Sequence, residues 1–526
     1  MAGGDLSKSF ADSIETHVSR SLSIPLIGSA LCEIYREAST PGDVGALTTC
    51  SSVIFCLFQI TVSNALAKMG SHALSRCAAT TEESEILKNI QNTIHRLCEM
   101  SYKNIITGVQ EIKTEDLVVS CPQAEDLLRS LRGFFFRGDS KTDRYVYRHS
   151  SIRDMFAALH CVEKIQDEEE LEECLDTWAL EKMPNNTRSP LLEGITALHG
   201  KRFQSFLRFF FGLLTSGKQS FLSQPAPLSD ERRLFLKMWF QVWIERHPIK
   251  IKLLNLFHYV FELHDADVTE HVSQCIKSVD LFNTSLSSLD IHALLYCCER
   301  SQLDVVDLRL CELGDSGLKQ MKSILRSSKK AYLSSNNLTA ESGKLLGDLL
   351  EDEACAIENL VLGTNALGNE GAVQVFRGLG KNKRLITLSL NDNNISTLDK
   401  KNTALSLKSN QTLQELRLCM NLFRKDEIEK IRDLQNDRPK LKIVMRITED
   451  EGVFHYTEKK VEMLSRKWKE CDASWVLGIL NKVKGDLKYA KPKDLDRVEQ
   501  LEAKIKELEK QLSGEQIGSS PGTSKM

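Results

Sequence analysis

A chain of 526 residues has room for about three or four domains. Its 41% hydrophobic and 27% charged residues are ordinary globular composition, and a net charge of −3 excludes an electrostatic case for nucleic acid as a partner. Fifteen cysteines, single apart from adjacent Cys297 and Cys298 and with no CxxC pair, fit reduced thiols in an intracellular protein better than a disulfide scaffold.

The N-terminus, MAGGDLSKSFADSIETHV, carries no basic-then-apolar signal peptide. Residues 1–20 read as a loose leader. Ile24 to Tyr35 reads as a helix with Pro25 near its start and an apolar face behind it. Pro41-Gly42 breaks the chain, and a helix follows from about Ala46. The uncharged span Val44 to Ala67 has the length of a bilayer crossing. Thr48, Thr49, Ser51, Ser52, Gln59, Thr61, Ser63 and Asn64 dilute its hydropathy, so it is expected as a buried helix with no membrane partner. Polar residues near Thr80–Ser84 read as a linker into a helix from about Glu85, where Ile86, Ile90, Ile94 and Leu97 fall at helical spacing. Asp116-Leu117 starts a short element.

Gly133–Arg137, a polar tip at 138–143 and Arg144–His149 read as two strands joined by a turn, running into an amphipathic helix from Ser150 to His160. Helices, a β-wing and a helix make a winged-helix unit, but neither charge nor spacing supports docking in a DNA groove. Residues 161–300 read as an all-helical block. The acid run Asp167–Glu173 lacks the mixed spacing and Gly turn of an oxygen-ligand loop, and suits the start of a helix. Phe203, Phe206, Phe209, Phe210 and Phe211 with Leu213 and Leu214 read as a core helix. His258, His264, His271 and Cys275 are separated by six, seven and four positions, which fits no zinc finger, and no metal is expected.

From Val279 to Phe423 one phrase recurs. Val306-x-Leu308-x-x-Cys311-x-Leu313, Ala331-x-Leu333-x-x-Asn336-x-Leu338 and Leu360-x-Leu362-x-x-Asn365-x-Leu367 are three copies. Leu388-x-Leu390-x-x-Asn393-x-Ile395 and Leu416-x-Leu418-x-x-Asn421-x-Phe423 follow, with a weaker opener at Val279-x-Leu281-x-x-Thr284-x-Leu286. The second apolar position advances by 27, 25, 29, 28 and 28 residues, the signature of leucine-rich repeats. Each phrase gives a short strand with its apolar side inward, the Asn or Cys bonds loop backbone at the turn, and a helix returns. No copy buries its face alone, so the copies stack into a curved solenoid. The outward strand positions, Asp307, Arg309, Tyr332, Ser334, Val361, Gly363, Ser389, Asn391, Arg417 and Cys419, are expected exposed on the concave face, where a protein ligand would bind.

Leu441–Val444 reads as a capping strand, and the stretch from Tyr456 to Tyr489 as a short helical unit. Val498, Leu501, Ile505, Leu508 and Leu512 follow an a/d heptad for about two heptads, short of a confident coiled coil. Weak self-association through 498–512 and a single solvated helix both fit this pattern. Residues 513–526 are expected as a disordered tail.

Several of these phrases resemble one family. Tyr145-x-Tyr147-x-His149-Ser150-Ser151-Ile152-x-x-x-Phe156-Ala157-Ala158-Leu159 is similar to the F-x-H-L-S-x-Q-E-F-F-A-A-L phrase of NOD-like receptors, the NACHT–leucine-rich-repeat proteins of innate immunity. Pro25-Leu26 with Cys32-x-Ile34-Tyr35 resembles the segment closing that family's nucleotide-binding module. Leu47–Gln59 resembles a helix of its winged-helix domain, and Leu253–Leu263 the helix before its repeats. The resemblance spans roughly residues 20–445 in the family's order. It departs where Arg153-Asp154 replaces Gln-Glu and Met155-Phe156 replaces Phe-Phe.

Nowhere in the sequence is there G-x-x-x-x-G-K-[ST], the loop whose amides and lysine hold phosphates. By the resemblance the chain begins where the nucleotide-binding core would end. The resemblance makes His149 and Pro25 vestigial nucleotide contacts, and with no phosphate loop no cofactor is expected. The fold expected is α/β: a remnant helical segment (1–42), a winged-helix-like domain (43–160) and a helical domain (161–277) precede a ribonuclease-inhibitor-like horseshoe (278–447). A helical segment (448–512) and the tail (513–526) close it.

The function expected is that of a cytoplasmic, non-enzymatic interaction protein. Its concave repeat face would bind a protein or pathogen-derived ligand, with a NOD-like receptor or a signalling adaptor as a further partner, and regulate immune signalling. Two alternatives stand beside it. One is a fragment of a full nucleotide-switched signalling ATPase, and the other is a ribonuclease-inhibitor-like enzyme inhibitor.

Overall fold

The computed structural model describes Ala30, Ile34 and residues 49–74, 81–113, 131, 134–137, 144–183, 187–195, 202–214, 227–246, 250–398, 400–436, 438–470, 473–488 and 494–518. The chain divides into two compact units, Met1–Ile276 with Ser287–Arg300, and Lys277–Leu286 with Ser301–Met526. Apart from helical, buried Ala30 and Ile34, the helix expected at 24–35 lies outside the described residues, as does the element expected from Asp116.

In the first unit, α1 (Cys50–Leu74) takes in most of the uncharged span Val44–Ala67 anticipated as a buried helix and runs on through Lys68. It buries Val53, Ile54, Phe55, Phe58, Val62 and Ala65. No helix among the described residues is long and apolar enough to cross a membrane. Helix α2 (Thr81–Thr107) begins inside the span expected as a linker, because polar residues occupy a helix's first turn as readily as a loop. Ile90, Ile94 and Leu97 are buried on it, as their spacing requires. Strands β1 (Glu111–Lys113), β2 (Phe135–Arg137) and β3 (Arg144–Tyr147) form an antiparallel sheet in the order β1-β3-β2. The anticipated strand pair aligns Phe135 with Tyr147. Three-residue β1 was too short to show in the sequence pattern; it pairs Ile112 with Tyr145. Tyr145 and Tyr147 face inward while Val146 faces out.

Helix α3 (Ser150–Lys164) packs against α2 and carries Phe156, whose ring stacks on Phe135 at 5.9 Å. Next come α4 (Glu168–Trp178), α5 (Gln204–Leu213), α6 (Asp230–Arg246), α7 (Lys250–Leu263), α8 (Ala266–Cys275) and α9 (Ser288–Cys298). The acid run does open a helix: the Asp167 carboxylate accepts from the Glu170 amide at 2.9 Å and caps α4. An aromatic spine joins the elements, running Tyr102–Trp178–Phe206–Phe210–Phe211–Tyr259 with neighbouring ring centres 5.0 to 6.0 Å apart. At its start the polar atoms are satisfied: the Tyr102 hydroxyl donates to the Leu191 carbonyl at 2.5 Å and accepts from Trp178 Nε1 at 3.2 Å. The histidines considered as zinc ligands have separate partners. His258 Nε2 lies 2.7 Å from Asp290, His271 Nε2 lies 3.2 Å from Gln241, and His264 stacks on Tyr296. Burial would raise the Asp290 carboxyl, but hydrogen bonds from His258 and Ser287 pull it down to about 2.

The second unit is built on seven parallel strands in sequence order: β4 (Ser278–Asp280), β5 (Leu303–Asp307), β6 (Ser328–Tyr332), β7 (Asn359–Val361), β8 (Thr387–Ser389), β9 (Glu415–Arg417) and β10 (Lys442–Val444). The register aligns the first apolar residue of every phrase, so that Val279, Val306, Ala331, Leu360, Leu388, Leu416 and Ile443 form one row. The second apolar row, Leu281 to Leu418, is also buried. Helices α10 (Gly314–Gln320) and α11 (Lys322–Arg326) follow β5. Helices α12 (Ala340–Glu351), α13 (Gly368–Lys381), α14 (Lys400–Ser409) and α15 (Lys425–Asp433) follow β6 to β9.

A ladder of side-chain amides ties the turns together. Asn365 Oδ1 accepts from the Asn336 and Leu338 amides at 2.9 and 3.2 Å, and its Nδ2 donates back to the Leu333 and Leu362 carbonyls at 3.1 and 2.9 Å. Asn421 does the same for Asn393, Ile395, Leu390 and Leu418. Cys311 takes this place in its own phrase and donates its thiol to the Leu281 carbonyl at 3.1 Å.

Past β10, helices α16 (Glu451–Lys467), α17 (Ala473–Leu487) and α18 (Leu495–Gly518) share one core that continues into Cys419, Met420, Val444 and Ile447. This corrects two expectations. The heptad stripe Val498, Leu501, Ile505, Leu508 and Leu512 is buried in this core within its own chain, so neither a solvated helix nor a stripe free for self-association is what the structure shows. Residues 513–518, expected in a disordered tail, continue α18, because a packed face upstream sustains the helix.

Helices α12 and α13 approach so closely that a Cβ on Gly347 would collide with the Gln374 carbonyl, and one on Gly378 with the Gly347 carbonyl. Intrinsic propensity favours Ala over Gly within a helix by roughly 1 kcal/mol. Here backbone, which cannot give way as a side-chain tip can, opposes the change. Gly378→Ala is therefore expected to destabilise the second unit by about 1–3 kcal/mol in urea unfolding, despite the better helix former.

Candidate functional site

The outward strand positions meet one another at a single place. Arg309, Tyr332, Ser334, Val361, Gly363, Ser389, Asn391 and Arg417 line a cavity of about 270 Å³, together with Gly452, Val453, Tyr456, Thr457 and Lys460 of α16. Asp307 stands beside it and grips Arg309 through two carboxylate contacts of 2.9 and 2.5 Å. Cys419 does not join them. It is fully buried, and its thiol points at the Val444 carbonyl.

The expectation of an exposed strip is thus corrected: all ten positions are buried or half-buried. The cause is α16. The chain leaves β10 through a tight turn in which Glu449 accepts from the Met445 and Arg446 amides. Asp450 then caps the helix by accepting from the Val453 amide at 3.0 Å. Asp450 also holds Lys442 at 2.5 Å, fixing the cap to β10. Positions 453, 456, 457 and 460 fall on one helical face by their spacing, and that face meets the strands.

The polar centre of this contact is Asp392, which is 4% exposed. Lys460 Nζ donates to Thr364 Oγ1 at 2.8 Å and stands 3.4 Å from Asp392 Oδ2. Lys482 of α17 reaches Asp392 Oδ1 at 2.6 Å and Asn394 Oδ1 at 2.9 Å. Burial alone would raise the Asp392 carboxyl, but the two ammonium groups hold it below the ordinary carboxylate range. Burial pushes the Lys460 ammonium below its usual value, against the pull of Asp392. A second buried pair, Arg446 with Asp486 at 3.0 Å, lies nearby, and Asp486 also accepts from the Met420 amide.

Two arginines frame the cavity. The Arg309 guanidinium lies 5.0 Å from the Phe282 ring centre and 5.4 Å from that of Tyr332. Arg417 Nη2 pairs with Glu415 at 3.0 Å, while its buried Nε has no hydrogen-bond partner among the described residues.

The nucleotide contacts implied by the resemblance are not brought together. Pro25 lies outside the described residues. His149 is exposed, and its Nδ1 accepts from the Ser151 amide at 3.1 Å, which makes it the cap of α3. What the sequence reading missed are Asp392, Tyr456, Lys460 and Lys482. The one signal for them was the 453/456/460 spacing, a second stripe on a helix read only as a charged unit.

Residues 149–271 match the family model described as NLRC4 helical domain HD2. Over 351 residues, 57% of this chain and 33% of the relative, the chain is 23% identical to NACHT, LRR and PYD domains-containing protein 3 of Bos taurus. Over 195 residues, 36% of this chain, it is 26% identical to NLR family member X1 of Rattus norvegicus, covering 20% of that protein. It is 28% identical over 195 residues to Protein NLRC3 of Mus musculus, covering 36% of this chain and 18% of that protein. The chain spans a third or less of the length of these relatives.

The lysine pair sets an asymmetric outcome. Lys460→Met removes a buried charge and leaves Lys482 on Asp392, so stability to urea should stay level or rise. Asp392→Asn leaves two ammonium groups facing each other and should lower stability by about 3 kcal/mol.

Proposed function

The chain belongs to the NOD-like receptor family, and we propose that these 526 residues recognise a protein or pathogen-derived ligand by surface complementarity, as part of innate-immune regulation. In this reading the seven parallel strands and their helices are a ribonuclease-inhibitor-like leucine-rich-repeat horseshoe. The three-stranded sheet with α2 and α3 is the family's winged-helix element. The observation that carries the reading is the convergence of eight outward strand positions, from β5 to β9, on one cavity that mixes arginine, tyrosine and small polar residues. Arginine and tyrosine are the residue types that dominate binding energy at protein interfaces.

The recognition is not enzymatic. No phosphate loop occurs in the sequence, and His149, the family's phosphate contact by resemblance, is occupied as a helix cap. Cysteines spaced singly along the sequence apart from Cys297 and Cys298, with no CxxC pair, support a cytosolic setting.

Two measurements test this. Calorimetric titration of the purified chain with Mg-ATP should give no binding below millimolar concentration, and a sub-millimolar dissociation constant would overturn the non-enzymatic reading. Arg309→Ala, Tyr332→Ala and Arg417→Ala combined should lose at least ten-fold in affinity for any protein ligand of the strand face, about 1.4 kcal/mol or more. Unchanged capture of every partner by the folded triple variant would reject the face as the recognition site.

A further inference from the structure

The contact between α16 and the strands is incompletely matched. A pocket of about 270 Å³, partly open to solvent, is left between them, and Tyr456 on its rim stays 47% exposed. Arg417 Nε is buried there without a hydrogen-bond partner among the described residues. Lys460 and Lys482 bring two positive charges to the single carboxylate of Asp392. Gly452, which borders the pocket, offers no side chain to fill it, and a Cβ built there would meet only the Asp450 carboxylate. An obligate core contact would be expected to fill the pocket and pair the arginine.

We propose that α16 is a tethered, replaceable occupant of the strand face, and that the face's true ligand is an amphipathic helix of another protein that displaces it. This rests on the reading that the strand face recognises a protein, and it names the kind. The incoming helix repeats what α16 does well: a lysine presented to Asp392, with an aromatic residue one turn before it in the place of Tyr456. It supplies a large apolar side chain for the pocket and a carboxylate in hydrogen-bond reach of Arg417 Nε, where the cap carboxylate of Asp450 stops 4.0 Å from Arg417 Nη2. Helix recognition of this sort reads anchors at i, i+3, i+4 and i+7, and 453, 456, 457 and 460 have that spacing. Because α16 is held in the same chain, it competes at the high effective concentration of a short link. Its mismatches are what allow a better-fitted helix to win. The segment that moves is 451–518, whose helices share a core; that core continues into Cys419, Met420, Val444 and Ile447, which the displacement uncovers.

The probe is a fluorescein-labelled peptide of residues 450–468, added to the full chain and read by anisotropy. On the wild-type chain it should bind weakly, because α16 is in place. The double variant Lys460→Glu, Lys482→Glu sets carboxylates against Asp392, frees the face, and should bind the peptide at least ten-fold more tightly. Adding Asp392→Asn should reverse that gain. In the peptide, Lys460→Glu should abolish binding, and Gly452→Leu, which reaches into the pocket, should strengthen it several-fold.

A folded double variant that gains no affinity overturns the proposal. Should the double variant fail to fold, amide exchange on the wild-type chain decides. Residues 451–467 should open ahead of the strands, and faster with added salt. Exchange only by global unfolding, at the rate of the Asn393 amide, would overturn it. Peptide binding that survives while the triple alanine variant keeps every partner would sink the recognition function and leave helix binding standing. Loss of partners with no peptide binding would do the reverse.

Discussion

The second unit depends on a constraint of polar chemistry: a side-chain amide buried at each turn must satisfy backbone groups of its own phrase and of the one before it. Asn336, Asn365, Asn393 and Asn421 meet that demand, and in doing so they fix the spacing and register of the strands. An unmet buried amide costs about 1–3 kcal/mol, so the ladder is strongly specified. The turn that places each asparagine also forces a left-handed residue just before it. Leu310, Ser335, Thr364, Asp392 and Met420 all have φ between 54° and 59°. Such values are unfavourable for most side chains, and for β-branched Thr364 most of all. At Asp392 that geometry brings a carboxylate to the lip of the strand face, where Lys460 and Lys482 find it.

From this follows the character of the site. The strands present a row whose spacing is set by the ladder, and α16 lies on it through Val453, Tyr456, Thr457 and Lys460. Polar pairing rather than apolar fit centres the contact. Buried ion pairs are poor sources of stability but good devices for fixing one arrangement over another, and Asp392 with its two lysines acts in that way here. The first unit is held by different means, an unbroken chain of aromatic rings from Tyr102 to Trp243, in which the Tyr102 hydroxyl and Trp178 indole are hydrogen-bonded while the buried Trp243 Nε1 has no hydrogen-bond partner among the described residues. The match to the NLRC4 helical domain falls wholly inside that unit.

Much of the fold could be read from residues alone, because it rests on periodicity. The apolar pairs Val306/Leu308 through Leu416/Leu418 repeat at nearly constant spacing and stack in the register that spacing demands. The acid run from Asp167 declared a helix start, and Phe135 against Tyr147 followed from a hairpin pattern. What stayed hidden has a common physical cause. Strand β1 has three residues and no pattern of its own. The start of α2 is as polar as a loop. The burial of the outward strand row depends on residues about 35 to 150 positions further along, and no local pattern announces a contact of that range. Lys460 reads as a solvated charge until Asp392 is known to face it. The heptad in α18 advertised a partner helix correctly, but the partner is the same chain.

The account turns on α16 lying against the strands with Lys460 inside the contact. Lys459 and Lys460 are neighbours in sequence, yet their side chains are 67% and 9% exposed. Brief acylation of the native chain, read residue by residue by tandem mass spectrometry, compares the two directly. Lys459 should be modified at least ten-fold faster than Lys460, and the difference should vanish on unfolding. Equal rates for the two in the folded chain would contradict the account.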